Sequence, residues 1–380
     1  MKKLFYLGII VFVALEILGV YLIMPFPGSQ RSNNVDIAFF FHSWRWVFRA
    51  VLSILILVSG IAVVKNSKLH LLAVLPLVLV AFLTNFQFAA DRMFREPNEV
   101  IMKSAAESSI ELDRQIVGVF KDGEARAYPI QFIAYHHKVQ DKIAGEPILV
   151  TYCTVCRTGR VFAGSIGKET VTFRLVGMDR FNAMIEDSAT RSWWRQANGE
   201  AVAGKLKGEK LTEFQSKQMT LAKWLDLYPQ SLVMQPDPAF ADQYQSYAEY
   251  ENGKGGELTG RSLNSWEDKS WIVGITIKDA SKAFDWNKLS QVRIINDSIG
   301  GVPVVLVLAE DRNSFFAFER SSNDDVFVMD NDQLVLGENR YDLLGLPVGH
   351  NSLPLKPVNA YQEFWHSWRT FHPDTFTDTE

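Results

Sequence analysis

The chain has 380 residues, of which 22% are charged, with a formal net charge of −4 and only two cysteines. This charge balance gives no electrostatic basis for binding nucleic acid, which requires clustered positive charge. Two cysteines cannot build the disulfide framework that holds small secreted domains together. The length allows two or three domains.

Three apolar segments in residues 1–90 are long enough to cross a bilayer, which takes about 20 residues per helix. They are residues 4–25, 46–64 and 69–90. The first begins MKKLFYLGII, like a signal peptide, but its apolar run is long, Glu16 interrupts it and no small-residue cleavage site follows. We therefore predict a membrane anchor of three transmembrane helices.

Basic residues near the ends of these spans indicate an orientation. Four lysines fall on one side of the membrane: Lys2, Lys3, Lys65 and Lys68. Positive charge favours the cytoplasmic side, although three arginines on the opposite side weaken the bias. We predict a multi-pass protein whose soluble part, from about residue 91, lies on the extracytoplasmic side.

Glu16 is an ionisable residue within a predicted span, where such groups are costly and often functional. One interpretation is a proton or quinone-type site that includes Arg49. The other is a neutral glutamic acid hydrogen-bonded to a neighbouring helix. The sequence leaves both open.

Beyond the anchor, the sequence predicts a strand-rich α+β fold. Residues 91–112 form a polar connector. Asp122-Gly123 lies between two apolar stretches, which is a strong hairpin signal, and Pro129 suits the first turn of a short helix. Further strands and a Trp-Pro helix complete a first repeat over residues 113–232.

The same pattern returns 156 residues later. WIVGITIKDASKAF matches QIVGVFKDGEARAY, and INDSIGGVPVVLVL matches VQDKIAGEPILVTY. Such self-similarity indicates tandem homologous repeats, each barrel- or sandwich-like. We predict a linker over residues 233–265 and a degenerate second repeat over residues 266–376.

The second repeat retains glycines and apolar strand positions but loses three chemically reactive residues. It has Ala309, Arg312 and Val292 in place of Cys153, Cys156 and His136. The fold therefore does not require the reactive residues, and any chemistry belongs to the first repeat.

Cys153 and Cys156 can close a small disulfide ring in which one thiolate resolves a bond formed at the other. Nearby Arg157 and Arg160 would favour the thiolate. Because strand-like sequence lies on both sides of the pair, no helix dipole activates it. We predict an accessible redox pair with His136 as a proton donor or acceptor.

The same residues allow a metal site. Two thiolates and His136, with His137 as an alternative ligand or a solvent-facing neighbour, could hold copper or zinc. A structural disulfide, inert thiols or a non-catalytic partner-binding domain are further alternatives. The sequence does not choose among them.

Several polar and aromatic residues are candidates for orienting a ligand: Tyr152, Arg157, Thr158, Asn182, Trp194, Arg195 and Gln196. Packing is the alternative for Trp193 and Trp194. The second repeat holds His350, His366 and His372, for which we predict no catalytic role.

The stretches VGVFKDGEARAYPIQFIAYHHKVQDKIAGEPILVTYCTVCRTGRVF and TRSWWRQANGEAVAGKLKG, with FWHSWRTFHPDT, resemble a bacterial and archaeal family, domain of unknown function 3179. The resemblance covers most of residues 112–376. It carries over His136, Cys153 and Cys156, whereas the family has Glu at His137 and Gly at Arg157. Selenoprotein-like relatives imply redox-active chemistry.

Together these observations favour a thiol-based redox protein in the bacterial cytoplasmic membrane, with the bilayer as one partner. Because the spans contain no cysteine, thiol exchange requires a soluble reductant or a partner protein.

Overall fold

The structure is a computed structural model that describes residues 1–32, 34–349 and 352–378, so His350 lies outside the described residues. The chain divides into two compact units. The first comprises Met1–Arg95, Thr172–Arg195 and Glu200–Lys210, and the second comprises the remaining described residues. The predicted boundary after residue 90 therefore does not separate the compact units, because much of residues 172–210 belongs with the anchor.

Within the described residues, three helices are long and apolar enough to span a membrane: Lys2–Tyr21, Val35–Val64 and Lys68–Gln87. The second begins eleven residues before its predicted start at residue 46. The third is not uniform, since it runs as a 3₁₀ turn over Lys68–Ala73, an α-helix over Val74–Phe82 and a π-helix over Leu83–Gln87. A short 3₁₀ turn, Ser29–Arg31, and the helix Ala90–Met93 complete the helical part.

The first unit also contains an antiparallel sheet of four strands. In sheet order these are Ala201–Ala203, Trp193–Arg195, Asn182–Asp187 and Phe173–Asp179. Trp193 is fully buried against Phe39 of the second span, with ring centroids 5.1 Å apart. Trp193 and Trp194 are thus core residues of this unit, as the packing alternative predicts.

The second unit begins with a five-stranded sheet. In sheet order its strands are Met102–Ser104, Leu232–Met234, Glu124–Pro129, Gln115–Lys121 and Ser216–Thr220. Leu232–Met234 pairs in parallel with Glu124–Pro129. A four-stranded sheet follows, with the order Glu213–Phe214, Thr158–Ala163, Glu146–Cys153 and Lys138–Ile143. The helices Ile130–His136 and Leu221–Leu227 connect or flank these strands.

The later part of the unit has a similar arrangement, with a four-stranded sheet in place of the five-stranded one. One sheet has the order Ala360–Phe364, Trp271–Ile277, Ala280–Asp285 and Phe376–Thr377, with the last pair parallel. The other has the order Ile294–Ile299, Val302–Leu308, Phe315–Glu319 and Lys356–Val358. The helices are Trp286–Val292 and Trp365–Phe371.

Small additions complete the second unit. They are a 3₁₀ turn at Ala105–Glu107, a two-stranded ribbon of Ser165–Ile166 and Glu169–Thr170, and a three-stranded sheet of Val328–Asp330, Gln333–Leu336 and Asn339–Tyr341. The fold is therefore α+β and strand-rich, as predicted, with the strands distributed over several small sheets.

One core of the second unit draws on both of its halves. Ile116 and Trp224 from the first half pack in the same cluster as Val305, Val307 and Phe318 from the second. All five are essentially inaccessible to solvent. Because burial of this apolar surface stabilises both halves at once, neither half has an independent core on this side.

Candidate functional site

The two cysteines lie at the tip of a β-hairpin in the second unit. Cys153 is the last residue of Glu146–Cys153, where it pairs with Thr158 at the start of the returning strand. Cys156 belongs to the connecting turn, which closes at Arg157 with a positive φ of 57°. The prediction that strands flank the motif is confirmed, and no helix begins at it. We call residues 153–158 the cysteine turn.

The cysteine pair is close but not bonded. The two residues approach to 3.2 Å, compared with about 2.05 Å for a disulfide bond, and they are not joined in a disulfide. Both residues have 0% of their surface exposed. The expectation of an accessible pair is therefore wrong for this conformation, because side chains from distant parts of the chain cover the turn.

His136 is the last residue of the helix Ile130–His136 and is fully buried. Its Nε2 lies 2.7 Å from the hydroxyl of Tyr244. The next residue, His137, accepts the backbone N–H of Tyr152 at 2.9 Å through its carbonyl oxygen. This bond joins the end of the histidine helix to the strand residue that precedes Cys153.

His137 is buried rather than solvent-facing, which corrects one of its predicted roles. Its Nδ1 lies 3.1 Å from the carbonyl oxygen of Tyr135. Burial lowers the pKa of His137 to about 4, so its ring is neutral at neutral pH. The side chain therefore adds a hydrogen bond at the helix end and no charge.

A metal site would need three or more donors around one point. Among the residues that the structure describes, no group of three His, Cys, Asp or Glu side chains is arranged to hold a metal ion. The predicted ligands Cys153, Cys156, His136 and His137 thus do not form a metal site in this conformation.

Arg157 lies wholly inside the protein. Its Nε donates to Gln362 Oε1 at 2.9 Å and its Nη2 to the carbonyl oxygen of Glu251 at 3.0 Å. The guanidinium stacks 3.7 Å from the ring centroid of Trp271. Its hydrogen-bond partners are neutral oxygens, so its positive charge stays available to stabilise a nearby anion. Arg160 differs, because Glu363 and Glu213 neutralise it at 3.0 and 3.3 Å.

Residues of the second half hold the backbone of the cysteine turn. Lys269 Nζ donates to the carbonyl oxygen of Val155 at 2.9 Å, and His366 Nε2 lies 2.9 Å from the same oxygen. The backbone N–H of Phe364 donates to the carbonyl oxygen of Cys156 at 2.8 Å. Lys269 and His366 are only partly buried, so the turn approaches the surface at this point.

Burial changes the pKa values of Lys269 and His366. Burial lowers the pKa of Lys269, and the two neighbouring cysteines oppose that shift. Burial, followed by the charge of Lys269, lowers the pKa of His366 to about 4. At neutral pH His366 is therefore neutral and its Nε2–H can donate to the carbonyl oxygen of Val155.

The segment predicted as a linker, residues 233–265, also covers the turn. It contains the 3₁₀ turn Pro238–Phe240 and the helix Ala241–Ser246. Beyond them, the Tyr250 hydroxyl donates to the carbonyl oxygen of Thr154 at 2.9 Å. Glu251 accepts the backbone N–H groups of Gln115 and Gln131 at 3.0 and 3.2 Å, which fixes the segment on the first sheet.

The other predicted ligand-orienting residues divide between the units. Tyr152, Thr158 and Gln196 lie in the second unit. Gln196 Nε2 donates to the carbonyl oxygen of Thr158 at 2.9 Å. Among the described residues, the buried Thr158 hydroxyl has no hydrogen-bond partner. Burial raises the pKa of Tyr152 to about 12, so its phenol stays neutral.

Asn182, Trp194 and Arg195 belong to the first unit. Trp194 Nε1 donates to Asp187 at 2.9 Å, and Arg195 binds Asp179 at 2.7 Å. The sheet of the first unit explains these contacts without a ligand.

Sequence reasoning missed the residues that contact His136 or the cysteine turn, namely Tyr244, Tyr250, Glu251, Lys269 and His366. One signal existed for the first three. The stretch YQSYAEYE repeats tyrosine every third residue, which is unusual in a solvated linker and indicates a buried face. No local signal identified Lys269 or His366.

The model of the family described as "Protein of unknown function (DUF3179)" matches residues 96–375. No curated protein and no solved structure matches the chain.

Proposed function

Because the chain belongs to the DUF3179 family, which carries no assigned activity, we propose a function from the site: a membrane-anchored thiol redox protein in which Cys153 and Cys156 cycle between dithiol and disulfide. The observation that carries this proposal is the 3.2 Å approach of two cysteines that are not joined in a disulfide, in a turn that other residues hold in place. Closing the bond requires a movement of about 1 Å.

The reaction partner in this proposal is a protein or small molecule that contains a disulfide. One cysteine thiolate attacks a sulfur of that disulfide, the S–S bond breaks, and a mixed disulfide forms as one partner thiolate leaves. The second cysteine then attacks the mixed disulfide and releases the other partner thiolate. Two electrons pass to the partner, and the two thiol protons end on its sulfurs.

The surroundings favour thiolate formation in this mechanism. The buried guanidinium of Arg157 and the ammonium of Lys269 both supply positive charge near the turn, which lowers thiol pKa values in general. We assign proton acceptance to His136, whose Nε2 contacts the Tyr244 hydroxyl. The sequence assigned these roles to the first repeat alone, whereas the proposal adds Lys269 from the second half.

Burial of both cysteines means that exchange requires the turn to open. The Val155 carbonyl, held by partly exposed Lys269 and His366, is the point at which opening costs least. A disulfide-containing partner would enter there. Local opening of this kind is common for surface turns with few apolar contacts.

A redox titration of the full-length protein in detergent tests the proposal. Samples equilibrated in mixtures of reduced and oxidised glutathione are quenched with acid, denatured and labelled with a maleimide polymer that reports free thiols. We expect a cooperative loss of two thiols, with a mixed glutathione disulfide trapped in either Cys153→Ser or Cys156→Ser. Two thiols that stay reduced until the protein is denatured would contradict the proposal.

Elemental analysis of the same preparation separates the metal-binding alternative. Near-stoichiometric copper or zinc in the native protein, absent from Cys153→Ser, would show that the cysteines bind metal. That result would favour the metal-binding alternative over thiol cycling. If the cysteine pair neither oxidises nor binds metal, the interpretation that remains is a non-catalytic partner-binding domain.

We also propose that the two halves of the second unit are tandem repeats. The matching strand orders support this, as does one shared detail of packing. A Cβ at Gly118 would lie 2.4 Å from the Trp224 ring, and one at Gly274 would lie 2.2 Å from the Trp368 ring. The same glycine–tryptophan contact thus occurs in both halves, at positions that the 156-residue offset pairs.

Finally, we propose that the second unit lies on the extracytoplasmic side. Four lysines, Lys2, Lys3, Lys65 and Lys68, support this through the preference of positive charge for the cytoplasm. Labelling of single cysteines introduced at Lys65 and at exposed Leu263, with a membrane-impermeant maleimide on intact cells, tests the assignment. Labelling at residue 65 and not at residue 263 would reverse it.

A further inference from the structure

A polar cavity of about 270 Å³ lies within the first unit, among the three spans and the strand Phe173–Asp179. Four arginines and two carboxylic acids line it: Arg45, Arg49, Arg92, Arg174, Glu16 and Asp91. The cavity is thus rich in positive charge although the chain as a whole is acidic. Ionisable groups within membrane-spanning segments are costly, and where they occur they commonly mark a functional site.

Glu16 and Arg49 neutralise each other at one side of this cavity. Arg49 Nε and Nη2 donate to the two Glu16 oxygens at 2.6 and 2.7 Å, and Asn85 and Thr84 add hydrogen bonds at 3.0 and 3.1 Å. This bidentate arrangement is the strong form of a charged pair. Arg49 is therefore the ion-pair partner of Glu16, and their two charges neutralise each other.

Arg174 is occupied as well. Its Nε donates to Glu186 at 2.9 Å, and its Nη1 lies 3.6 Å from Asp91. Among the residues that the structure describes, Arg45 donates to the backbone oxygen of His42 and to no other oxygen. Among the described residues, neither Arg45 nor Arg92 forms an ion pair with a carboxylate. Two guanidinium groups therefore line the cavity with no counter-charge of their own.

An apolar groove adjoins the cavity. It has a volume of about 410 Å³ and is lined by residues such as Ile17, Tyr21 and Leu83. Val20, Thr84 and Phe88 line both the cavity and the groove, so the two spaces lie next to each other. Ile17 is 50% exposed, which means that this face is open to the surroundings of the spans.

The position of the cavity along the spans fits the depth of lipid headgroups. Glu16 lies about 21 Å along its helix from Lys2, and Arg45 lies about 28 Å from Val64. Because a bilayer core is about 30 Å thick, both residues are near the same membrane face. The π-helix Leu83–Gln87, a geometry frequent at functional sites, carries Thr84 and Asn85 into this region.

From this geometry we propose that the first unit binds an anionic, phosphate-headed lipid. The phosphate lies in the polar cavity against Arg45 and Arg92, and the hydrocarbon chain lies in the apolar groove. Charge complementarity selects this occupant, since a neutral amphiphile such as a quinone would leave both guanidinium groups without a counter-ion. Guanidinium groups match phosphate oxygens in charge and in hydrogen-bond geometry.

Native mass spectrometry of the full-length protein in neutral detergent tests the proposal, with phosphatidylglycerol, undecaprenyl phosphate, diacylglycerol and ubiquinone each added alone. We expect binding of the two phosphate lipids and weaker binding of the two neutral ones. Preference between the phosphate lipids distinguishes a bulk membrane lipid from an isoprenoid carrier. Equal binding of phosphatidylglycerol and diacylglycerol, or tight binding of ubiquinone, would overturn the proposal.

Variants locate the site. We expect Arg45→Gln combined with Arg92→Gln to weaken phosphatidylglycerol binding by at least tenfold, because charge-assisted hydrogen bonds are lost. Arg31→Gln, at a loop arginine outside the cavity lining, is the matched control and should bind as the native protein does. Arg92 is exposed, so Arg92→Gln alone gives a folded variant for comparison.

Filling the groove provides a second, independent readout. Leu83→Trp should weaken phosphatidylglycerol binding and leave glycerol phosphate, which has no hydrocarbon chain, unaffected. Unchanged phosphatidylglycerol binding in the arginine double variant would contradict the proposed site. So would a loss of binding in Arg31→Gln as large as the loss in the double variant. Cys153→Ser should bind lipid normally, so failure of the redox proposal and failure of this one are distinguishable.

Discussion

Two hairpin turns of the second unit have the same length but are held in opposite ways. In the cysteine turn, three backbone carbonyls are satisfied by residues far along the chain, for example Thr154 by Tyr250 and Val155 by Lys269. In the turn that follows Val302–Leu308, Asp311 accepts the backbone N–H groups of Asn313 and Ser314 at 3.0 and 2.8 Å. That second turn supplies its own cap.

This difference has a chemical consequence. A turn that caps itself depends less on its surroundings, although Thr220 also donates to Asp311 and Ser314 in this turn, and its side chains are occupied in capping. A turn held from outside keeps its own side chains for chemistry, and its opening depends on the contacts that surround it. Matched substitutions in the two halves should therefore have unequal effects where the halves differ and equal effects where they agree.

The largest inequality is expected at Arg157 and Arg312, which the 156-residue offset does not pair but which have a similar positive φ, 57° and 59°, in the two turns. Arg157→Met removes a buried guanidinium together with its hydrogen bonds to Gln362 and to backbone oxygens, which should cost about 3 kcal/mol of unfolding free energy. Arg312→Met, in the second turn, removes an exposed side chain and should cost less than about 0.5 kcal/mol. Denaturant unfolding measures both, and similar losses would contradict the comparison.

Equal losses of unfolding free energy are expected at the two matched glycines, Gly118 and Gly274. Gly118→Ala and Gly274→Ala each press a methyl group against a tryptophan ring at 2.4 and 2.2 Å. Such overpacking should cost about 2 kcal/mol in each case. Gly123→Ala is a control for the backbone alone, because its Cβ would meet nothing within 4 Å while its φ of +88° still disfavours alanine. A loss confined to one of the two matched sites would argue against the proposed repeats.

The third prediction concerns access to the cysteine pair. Lys269→Met removes the hydrogen bond to Val155 and should raise the alkylation rate of the native protein by about tenfold, since one charge-assisted hydrogen bond contributes about 1.4 kcal/mol. Lys278→Met, at an exposed turn of the same half, is the matched control. An unchanged rate in Lys269→Met would show that the turn opens elsewhere.

The smallest expected effect is a pH dependence that arises from His366. Its pKa is about 4 in the folded protein and about 6.5 when unfolded. The unfolded state therefore binds more protons between these values, so stability is full above pH 6.5 and is lost as the pH falls towards 4. At pH 5.5 the loss should be about 1 kcal/mol.

His366→Gln should remove the contribution of His366 to the pH dependence. The free energy of unfolding should then fall less steeply between about pH 6.5 and 4. Unfolding curves of the two proteins at several pH values give the difference directly. Identical profiles would mean that His366 is not the group that titrates. His137, which burial also keeps neutral, is unaffected by the substitution.

Local patterns in the sequence were enough to predict the elements. Apolar runs identified the three spans, and alternation with turn residues identified the hairpin at Asp122-Gly123, which the structure places between Gln115–Lys121 and Glu124–Pro129. These features depend on residues near one another in sequence or on hydrophobicity alone.

The surroundings of a segment in the folded protein could not be predicted from those patterns. The sequence assigned residues 172–210 to the first repeat, whereas much of this stretch belongs to the compact unit of the spans. It also assigned residues 233–265 to a linker, whereas Tyr250 and Glu251 cover the cysteine turn. In each case the partner lies far away in the chain, and no short-range signal records it.

By itself, the sequence determined which residues can react, because two cysteines in a chain of this length stand out and the matched positions Ala309 and Arg312 lack thiols. Only the tertiary structure decided that these cysteines are enclosed, since burial arises from side chains brought together over more than two hundred residues. Hydrophobicity and turn chemistry are local properties, whereas solvent access and electrostatic environment belong to the folded whole.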